Sequence, residues 1–402
     1  MPTPGGGSMP IGLMENVLLV VTALKKSVGT HVSIGVATME VSALMTIGAH
    51  TLFLHIGRGK SGSSTIQSLA RDHAPFMASA GVHCPLTSNG LPNHARLAAA
   101  LCDQKRDPQT LRDFRDALEK SPHPRVFISG EALFSITRDG MRHLKRLLDG
   151  REIRILAYVR DYPSWLPSVY AQRTKKATSG LNFDDYFASI RENVTILPRV
   201  ERWASIFGWK AVRVRPLDPV ALTGATLISD VFDALSIEGA PPYVPSLNVA
   251  PHWITLELQR ALANAVAGSP LGKIDAKSAR TTLRLFEACA GAVQPSRAHY
   301  LTREQWKELA LRYMRDMATV GERTGTWFPV SLKEPEERSF LPGLDAVPDS
   351  VKADILSKLR DSGLARDLKP EMRALVARLM ADGEAPRFIL PVGSPGVWAK
   401  HL

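Results

Sequence analysis

Residues 52–70 read LFLHIGRGKSGSSTIQSLA, and the reading of this stretch organises the rest of the chain. Leu52 to Leu54 and Ile56 form an apolar run without the two-residue alternation of a half-exposed strand, as expected of a strand covered on both faces. Two glycines, Gly59 and Gly62, then flank Lys60, and Ser61, Ser63, Ser64 and Thr65 follow closely before apolar spacing resumes at Ile66 and Leu69. A buried strand, a glycine-rich turn and a helix bring several free backbone N–H groups to one point at the positive end of the helix, which is a ready anion site. Lys60 adds a full charge there, and the hydroxyls can donate to phosphate oxygens. A plain strand-to-helix turn rarely needs a lysine between glycines.

Outward from this loop the pattern repeats. The segments 51–56, 125–129, 153–159 and 210–217 read as strands, and the first three lack the two-residue alternation of a half-exposed strand. Between them, 64–73, 111–120 and 141–148 read as helices. This predicts an α/β fold with a doubly wound, mostly parallel sheet and a P-loop-like loop after its first strand. From about residue 255 the chain reads as mainly helical. In LKPEMRALVARLMADG (368–383), Pro370 suits a first helical turn, Met372, Leu375, Val376, Leu379 and Met380 share a face, and Gly383 is placed as a stop. The expected organisation is an N-terminal extension over 1–48, a catalytic domain over 49–332 and a helical C-terminal extension over 333–402.

With 402 residues, 45% of them hydrophobic, the chain can bury a large core. No segment is apolar over a membrane-spanning length. The run Val17–Leu24 is followed, not preceded, by Lys25 and Lys26, the wrong order for a signal peptide, and Met39 and Met45 offer later starts. Three scattered cysteines, Cys84, Cys102 and Cys289, argue against a disulfide framework and for a reducing compartment, so a cytoplasmic location is expected. The net charge of +11 suggests an anionic partner, and nine basic against three acidic residues between Arg142 and Lys176 concentrate it. No aromatic ladder or helix-turn-helix pattern accompanies that window, so nucleic acid is not expected.

A nucleoside triphosphatase loop needs a glycine five positions before Gly59, where Leu54 stands, and Ser or Thr directly after the lysine. No magnesium-binding aspartate ends an apolar strand: VFIS leads to Gly130-Glu131 and ILAYV to Arg160. The loop HIGRGKSGSSTIQ instead resembles that of sulfotransferases that use 3′-phosphoadenosine 5′-phosphosulfate (PAPS), in particular their bacterial carbohydrate- and lipid-type members. Their Lys-Thr-Gly-Thr-Thr loop binds the 5′-phosphosulfate. Here Ser61, Ser63 and Ser64 replace the threonines and keep every hydroxyl. A second match is YVRDYPSWLPSVYAQRTK (158–175): in the family a strand-end arginine and a serine eight residues on grip the 3′-phosphate, and Arg160 and Ser168 have that spacing. The resemblance continues through RVERWASIFGWKAVRVRPLD, Asn248 in PSLNVAP and YLTREQWKELALRYM, covering about residues 50–330.

The resemblance implies PAPS as sulfonate donor, no required metal, and Gly59, Lys60, Ser61, Gly62, Ser63, Ser64, Arg160 and Ser168 as donor-binding residues. In-line sulfuryl transfer needs a base for the acceptor and positive charge for the leaving phosphate. Lys60 is the expected cation. Glu131 is the expected base, in the segment where family members place Ser-Ser-Glu, with Gly130 replacing the second serine. His83 and His94 are alternative bases, His55 reads as a hydrogen-bonded core histidine, and His83, Cys84 and His94 do not suit one metal. Arg173 and Lys175 are open between a ligand contact and a solvated face. The expected partner is a small-molecule or glycan acceptor, with peripheral membrane contact and oligomeric state open. A nucleotide kinase or hydrolase and a catalytically inactive nucleotide-binding member are the competing readings.

Overall fold

A computed structural model describes residues 51–382, apart from 88, 104–106, 149, 240–250, 327–331, 333–342 and 362. The expected extension over 1–48, Asn248 and the stop at Gly383 therefore lie outside the described residues.

Five parallel strands form the sheet among the described residues. They are β1 (Thr51–His55), β2 (Val82–His83), β3 (Arg125–Ser129), β4 (Ile153–Val159) and β5 (Val212–Pro216), in the order β2-β3-β1-β4-β5. In register, His55 of β1 faces Ser129 of β3 and Leu156 of β4. The chain leaves β1 toward β2 and β3 on one side and then crosses to β4 and β5 on the other, so the winding reverses at β1. In open α/β sheets ligands bind beyond the carboxyl ends of the strands at such a reversal.

The lack of alternation in the segments 51–56, 125–129 and 153–159 is explained by two buried faces. Leu52, Leu54, Val126, Ile128, Ile155, Ala157 and Val159 join one hydrophobic cluster, while Phe53, Phe127, Leu156 and Tyr158 join another on the opposite face. Successive side chains still alternate, but both sides are covered by helices, so neither is polar. Helix α1 (Ser63–Asp72) buries Ile66, Leu69 and Ala70, and Ile66 and Leu69 lie in the second cluster with Phe53. The edge strand β5 alternates buried and more exposed residues, as half-covered strands do.

Sequence and structure agree to within three residues for the four long strands and for the helices α4 (Pro108–Glu119) and α5 (Arg138–Leu147), which follow α2 (Ala74–Ser79) and α3 (Ala95–Cys102). Strand β2 has only two residues and leaves no periodic signal. Helix α6 (Tyr162–Lys175) starts where Pro163 suggested, with the Asp161 side chain accepting from the Ser164 N–H at 2.7 Å. Beyond it come α7 (Phe183–Ile190), α8 (Leu197–Phe207), α9 (Leu227–Leu235), α10 (Trp253–Ala267), α11 (Ala276–Ala290), α12 (Arg303–Thr324), α13 (Asp349–Asp361) and α14 (Pro370–Asp382). α12 packs on α6, where the Tyr162 hydroxyl donates to buried Asp316, which also accepts from the Ile196 N–H at 3.0 Å. α13 and α14 share a hydrophobic cluster with α10 and α11. No helix among the described residues is long and apolar enough to cross a membrane.

Candidate active site

The carboxyl ends of three adjacent strands, β3, β1 and β4, lead directly to Glu131, to the 56–62 loop and to Arg160. Parallel register alone brings together residues that are about seventy and a hundred positions apart in sequence.

The loop has a strained, well-anchored shape. Lys60 adopts φ of 69°, the left-handed region that a side chain disfavours, and Gly62 follows at 84°. The Ser61 N–H donates to the Arg58 carbonyl at 3.1 Å, closing the turn. The indole N–H of Trp165, on the second turn of α6, donates to the Gly59 carbonyl at 2.9 Å, and the Ser61 hydroxyl accepts from the Arg160 backbone N–H at 3.4 Å. Such over-determined strain clusters at functional sites. Glycine suits this φ at Gly62, and an added Cβ would also stand 2.4 Å from Leu227 Cδ2, so that side chain would have to shift.

Arg58 does not join the cations of the site. It is 7% exposed, its guanidinium lies 3.2 Å from the Trp165 ring centroid, and Nη1 donates to the Val194 carbonyl at 2.5 Å. Burial draws its pKa down to about 9. It is a strut that fastens the loop to the segment after α7.

Lys60 is half-buried. Desolvation, with the charges of Lys175, Lys176 and Arg160, draws its pKa below the ordinary lysine range, while Glu131 opposes the shift. Glu131 opens a short 3₁₀ turn, Glu131–Ser135, and its Oε2 stands 3.6 Å from where a Cβ on Gly59 would be. The carboxylate thus faces the loop. None of the Lys60, Glu131 and Arg160 side chains has a hydrogen-bond or ion-pair partner among the described residues. Of the loop serines, Ser61 and Ser63 are buried and Ser64 is exposed; the Ser63 hydroxyl has no partner among the described residues. Ser168 lies on α6, two turns beyond Arg160, and is partly exposed.

Beneath the loop, His55 is the buried histidine that its place in β1 suggested. Its Nδ1 lies 2.8 Å from the Ser129 hydroxyl, and the Gly130 N–H donates to its carbonyl at 3.0 Å. Its Nε2 has no partner among the described residues and is turned toward Gly57, where an added Cβ would stand 2.4 Å away. Burial pushes the ring down to about 3, so it is neutral at physiological pH. Gln67 donates to the same Ser129 hydroxyl at 3.4 Å.

The alternative bases sit elsewhere in the network. His94 is buried with Nδ1 3.2 Å from the Ser129 carbonyl, and it lines a cavity of about 40 Å³ with Phe114 and Ile128. His83 lies on β2, two strands away from β1. Among the described residues no group of three or more His, Cys, Asp or Glu side chains is placed to hold a metal. Arg173 lies over the Tyr186 ring at 5.7 Å, whereas Lys175 and Lys176 act on Lys60.

Neither a protein-family model nor a curated protein matches the chain. Among solved structures, a sulfotransferase from Alicyclobacillus acidocaldarius is similar over 68% of this chain and 95% of its own, at 13% identity and a TM-score of 0.39.

Arg58, Trp165, His55 and Ser129 are the supports that sequence reasoning did not assign to the site. Only the glycines on either side of Arg58 hinted at its neighbourhood; the others acquire a role through contacts made across strands.

Proposed function

We propose that the chain is a PAPS-dependent sulfotransferase that moves a sulfonate to a hydroxyl or amine of an acceptor of the carbohydrate or lipid-linked sugar class. The observation that carries this reading is the convergence, around a hydroxyl-bearing turn at the winding reversal of the sheet, of Lys60, Arg160 and Glu131, whose side chains are unpaired among the described residues. A bis-anionic nucleotide fits these residues: two separated cations, a helix N-terminus and a buried Ser63 hydroxyl with no partner among the described residues answer two separated phosphate groups.

In this reading Gly59 to Ser64 hold the phosphosulfate, and Arg160 with Ser168 holds the 3′-phosphate. The donor supplies the sulfonate. A bond forms from the acceptor oxygen to sulfur as the bond from sulfur to the bridging oxygen breaks, and adenosine 3′,5′-bisphosphate leaves. Glu131 takes the acceptor's proton, and Lys60 meets the charge that grows on the leaving oxygen. Partial burial makes Lys60's charge more effective than a fully hydrated one. Glu131 across Gly59 and Lys60 within the loop act on opposite ends of the same displacement.

The reacting domain in this proposal is 49–332. A cytoplasmic setting is supported by three free cysteines with no disulfide between them. The test is product analysis after incubating the protein, sulfur-labelled PAPS and a cell extract. Label should move to an extract component only with intact protein; a protein that binds the donor but transfers no label to any fraction would be an inactive member of the fold.

A further inference from the structure

Beneath the loop, four polar side chains line up across one helix and two strands. Ser63 and Gln67 are four residues apart and so share one face of α1. That face looks onto the end of β3, because the Gln67 amide donates to the Ser129 hydroxyl at 3.4 Å. Ser129 stands opposite His55 in register, and its hydroxyl lies 2.8 Å from His55 Nδ1. His55, Ser129 and Ser63 are each at most 2% exposed. The His55 Nε2 and the Ser63 hydroxyl oxygen both lie within 2.9 Å of where a Cβ on Gly57 would stand, and neither has a partner among the described residues.

The direction of each hydrogen bond follows from what the groups can give. An amide nitrogen only donates, so the Ser129 oxygen accepts from Gln67. Among the described residues the single Ser129 hydroxyl proton then has no acceptor but His55 Nδ1. Burial keeps the ring neutral, with one N–H. Since Nδ1 accepts, that proton sits on Nε2, the nitrogen turned toward Gly57 and Ser63. A buried donor without an acceptor is costly and calls for a reason. The start of α1 supplies one. Its N-cap, Gly62, provides no capping side chain, so the first N–H groups of the helix and the Ser63 hydroxyl offer donors at one place.

We propose that Gln67, Ser129, His55 and Ser63 form a one-way hydrogen-bond relay, in which His55 positions the Ser63 hydroxyl to donate to the 5′-phosphate group of the nucleotide. The proposal rests on the sulfotransferase reading above. The Nε2–H donates to the Ser63 oxygen, which leaves the Ser63 proton for a phosphate oxygen. Every link donates toward the anion, so each bond polarises the next. His55 does not touch the nucleotide and acts through Ser63. Gly57 leaves room for the link, since a side chain there would press on both atoms.

The test separates the two phosphates. The full chain is titrated with adenosine 3′,5′-bisphosphate and with adenosine 3′-monophosphate, and the ratio of the two affinities measures what the 5′-phosphate contributes. In His55→Phe, which keeps a ring but no donor, the ratio should fall roughly tenfold, the size of one hydrogen bond, with monophosphate affinity within about twofold of wild type. His55→Gln, whose amide can donate in place of Nε2–H, should recover most of the ratio. Equal loss for both nucleotides would make His55 a support of the loop alone, and an unchanged ratio would remove it from the site; either overturns the relay. A second readout needs no variant. In NMR of the wild-type chain with isotope-labelled histidine, the His55 ring should be neutral with its proton on Nε2, and that resonance should shift with the bisphosphate and not with the monophosphate. A proton on Nδ1, or a resonance indifferent to the bisphosphate, overturns the relay as well. A wild-type chain that binds no bisphosphate would sink the sulfotransferase reading itself, and the relay with it; the first titration shows this separately.

Discussion

The Ser61 hydroxyl accepts a hydrogen bond from the Arg160 backbone N–H at 3.4 Å. This contact joins the loop after β1 to the end of β4, and so ties the phosphosulfate end of the proposed donor site to its 3′-phosphate end. The two residues are ninety-nine positions apart. Their closeness follows from the pairing of β1 with β4, in which His55 stands opposite Leu156.

Lys60→Ala should nearly abolish turnover without disturbing the fold. The side chain has no hydrogen bond or ion pair to lose among the described residues, and its φ of 69° remains disfavoured with any side chain. Loss of one contact to growing charge costs on the order of 10²–10³ in rate. A variant that keeps more than half of wild-type activity would remove the loop from the mechanism.

Arg160→Ala should raise the Michaelis constant for PAPS more than it lowers kcat. The 3′-phosphate is remote from the sulfur and is gripped equally in ground and transition states. Unchanged affinity for adenosine 3′,5′-bisphosphate would refute the pairing of Arg160 with Ser168.

Glu131→Gln keeps the shape of the side chain facing Gly59 and removes its proton acceptor. Turnover should fall by about 10²–10⁴ with bisphosphate affinity within a few-fold, and the acidic limb of the pH–rate profile should disappear. Normal turnover with a lowered melting temperature would make Glu131 structural and pass the base to His94, the nearer of the two histidines to the β3 end.

His55 gives a pH dependence with a definite sign. Its pKa is about 3 in the folded chain and 6.5 in an unfolded one. Above pH 6.5 both states are neutral and the full stability is present. As pH falls below 6.5 the unfolded ring takes a proton that the native ring refuses, so stability is lost, by up to about 1.4 kcal/mol per pH unit, down to about pH 3. His94, His83 and His143 are also lowered by burial and act in the same direction. Urea titrations at pH 7.5, 6 and 5 should show His55→Gln least stable relative to wild type at pH 7.5 and closest to it at pH 5. Parallel curves would show that the ring does not carry this term.

The sheet was legible because its strands are buried on both faces: runs such as Leu52–Leu54 and Ile155–Val159 advertise a parallel sheet without any knowledge of partners. The loop was legible because Lys60 between glycines and serines is a local arrangement. Other features depend on contacts between distant segments. β2 is two residues long and its place comes from pairing with Arg125 and Val126. The sequence gives Arg58 no role, and only the approach of Trp165 and Val194 makes it a buried strut. The difference between Arg173 and Lys175, two residues apart on one helix, is likewise decided by Tyr186, which belongs to α7.

The most direct measurement is isothermal titration of the full chain with adenosine 3′,5′-bisphosphate, and separately with ATP and magnesium. The account predicts tight binding of the bisphosphate, unaffected by EDTA and weakened at least tenfold in Arg160→Ala, with ATP and magnesium binding far more weakly. Metal-dependent binding of ATP in preference to the bisphosphate would contradict it and make the loop that of a nucleotide kinase or hydrolase.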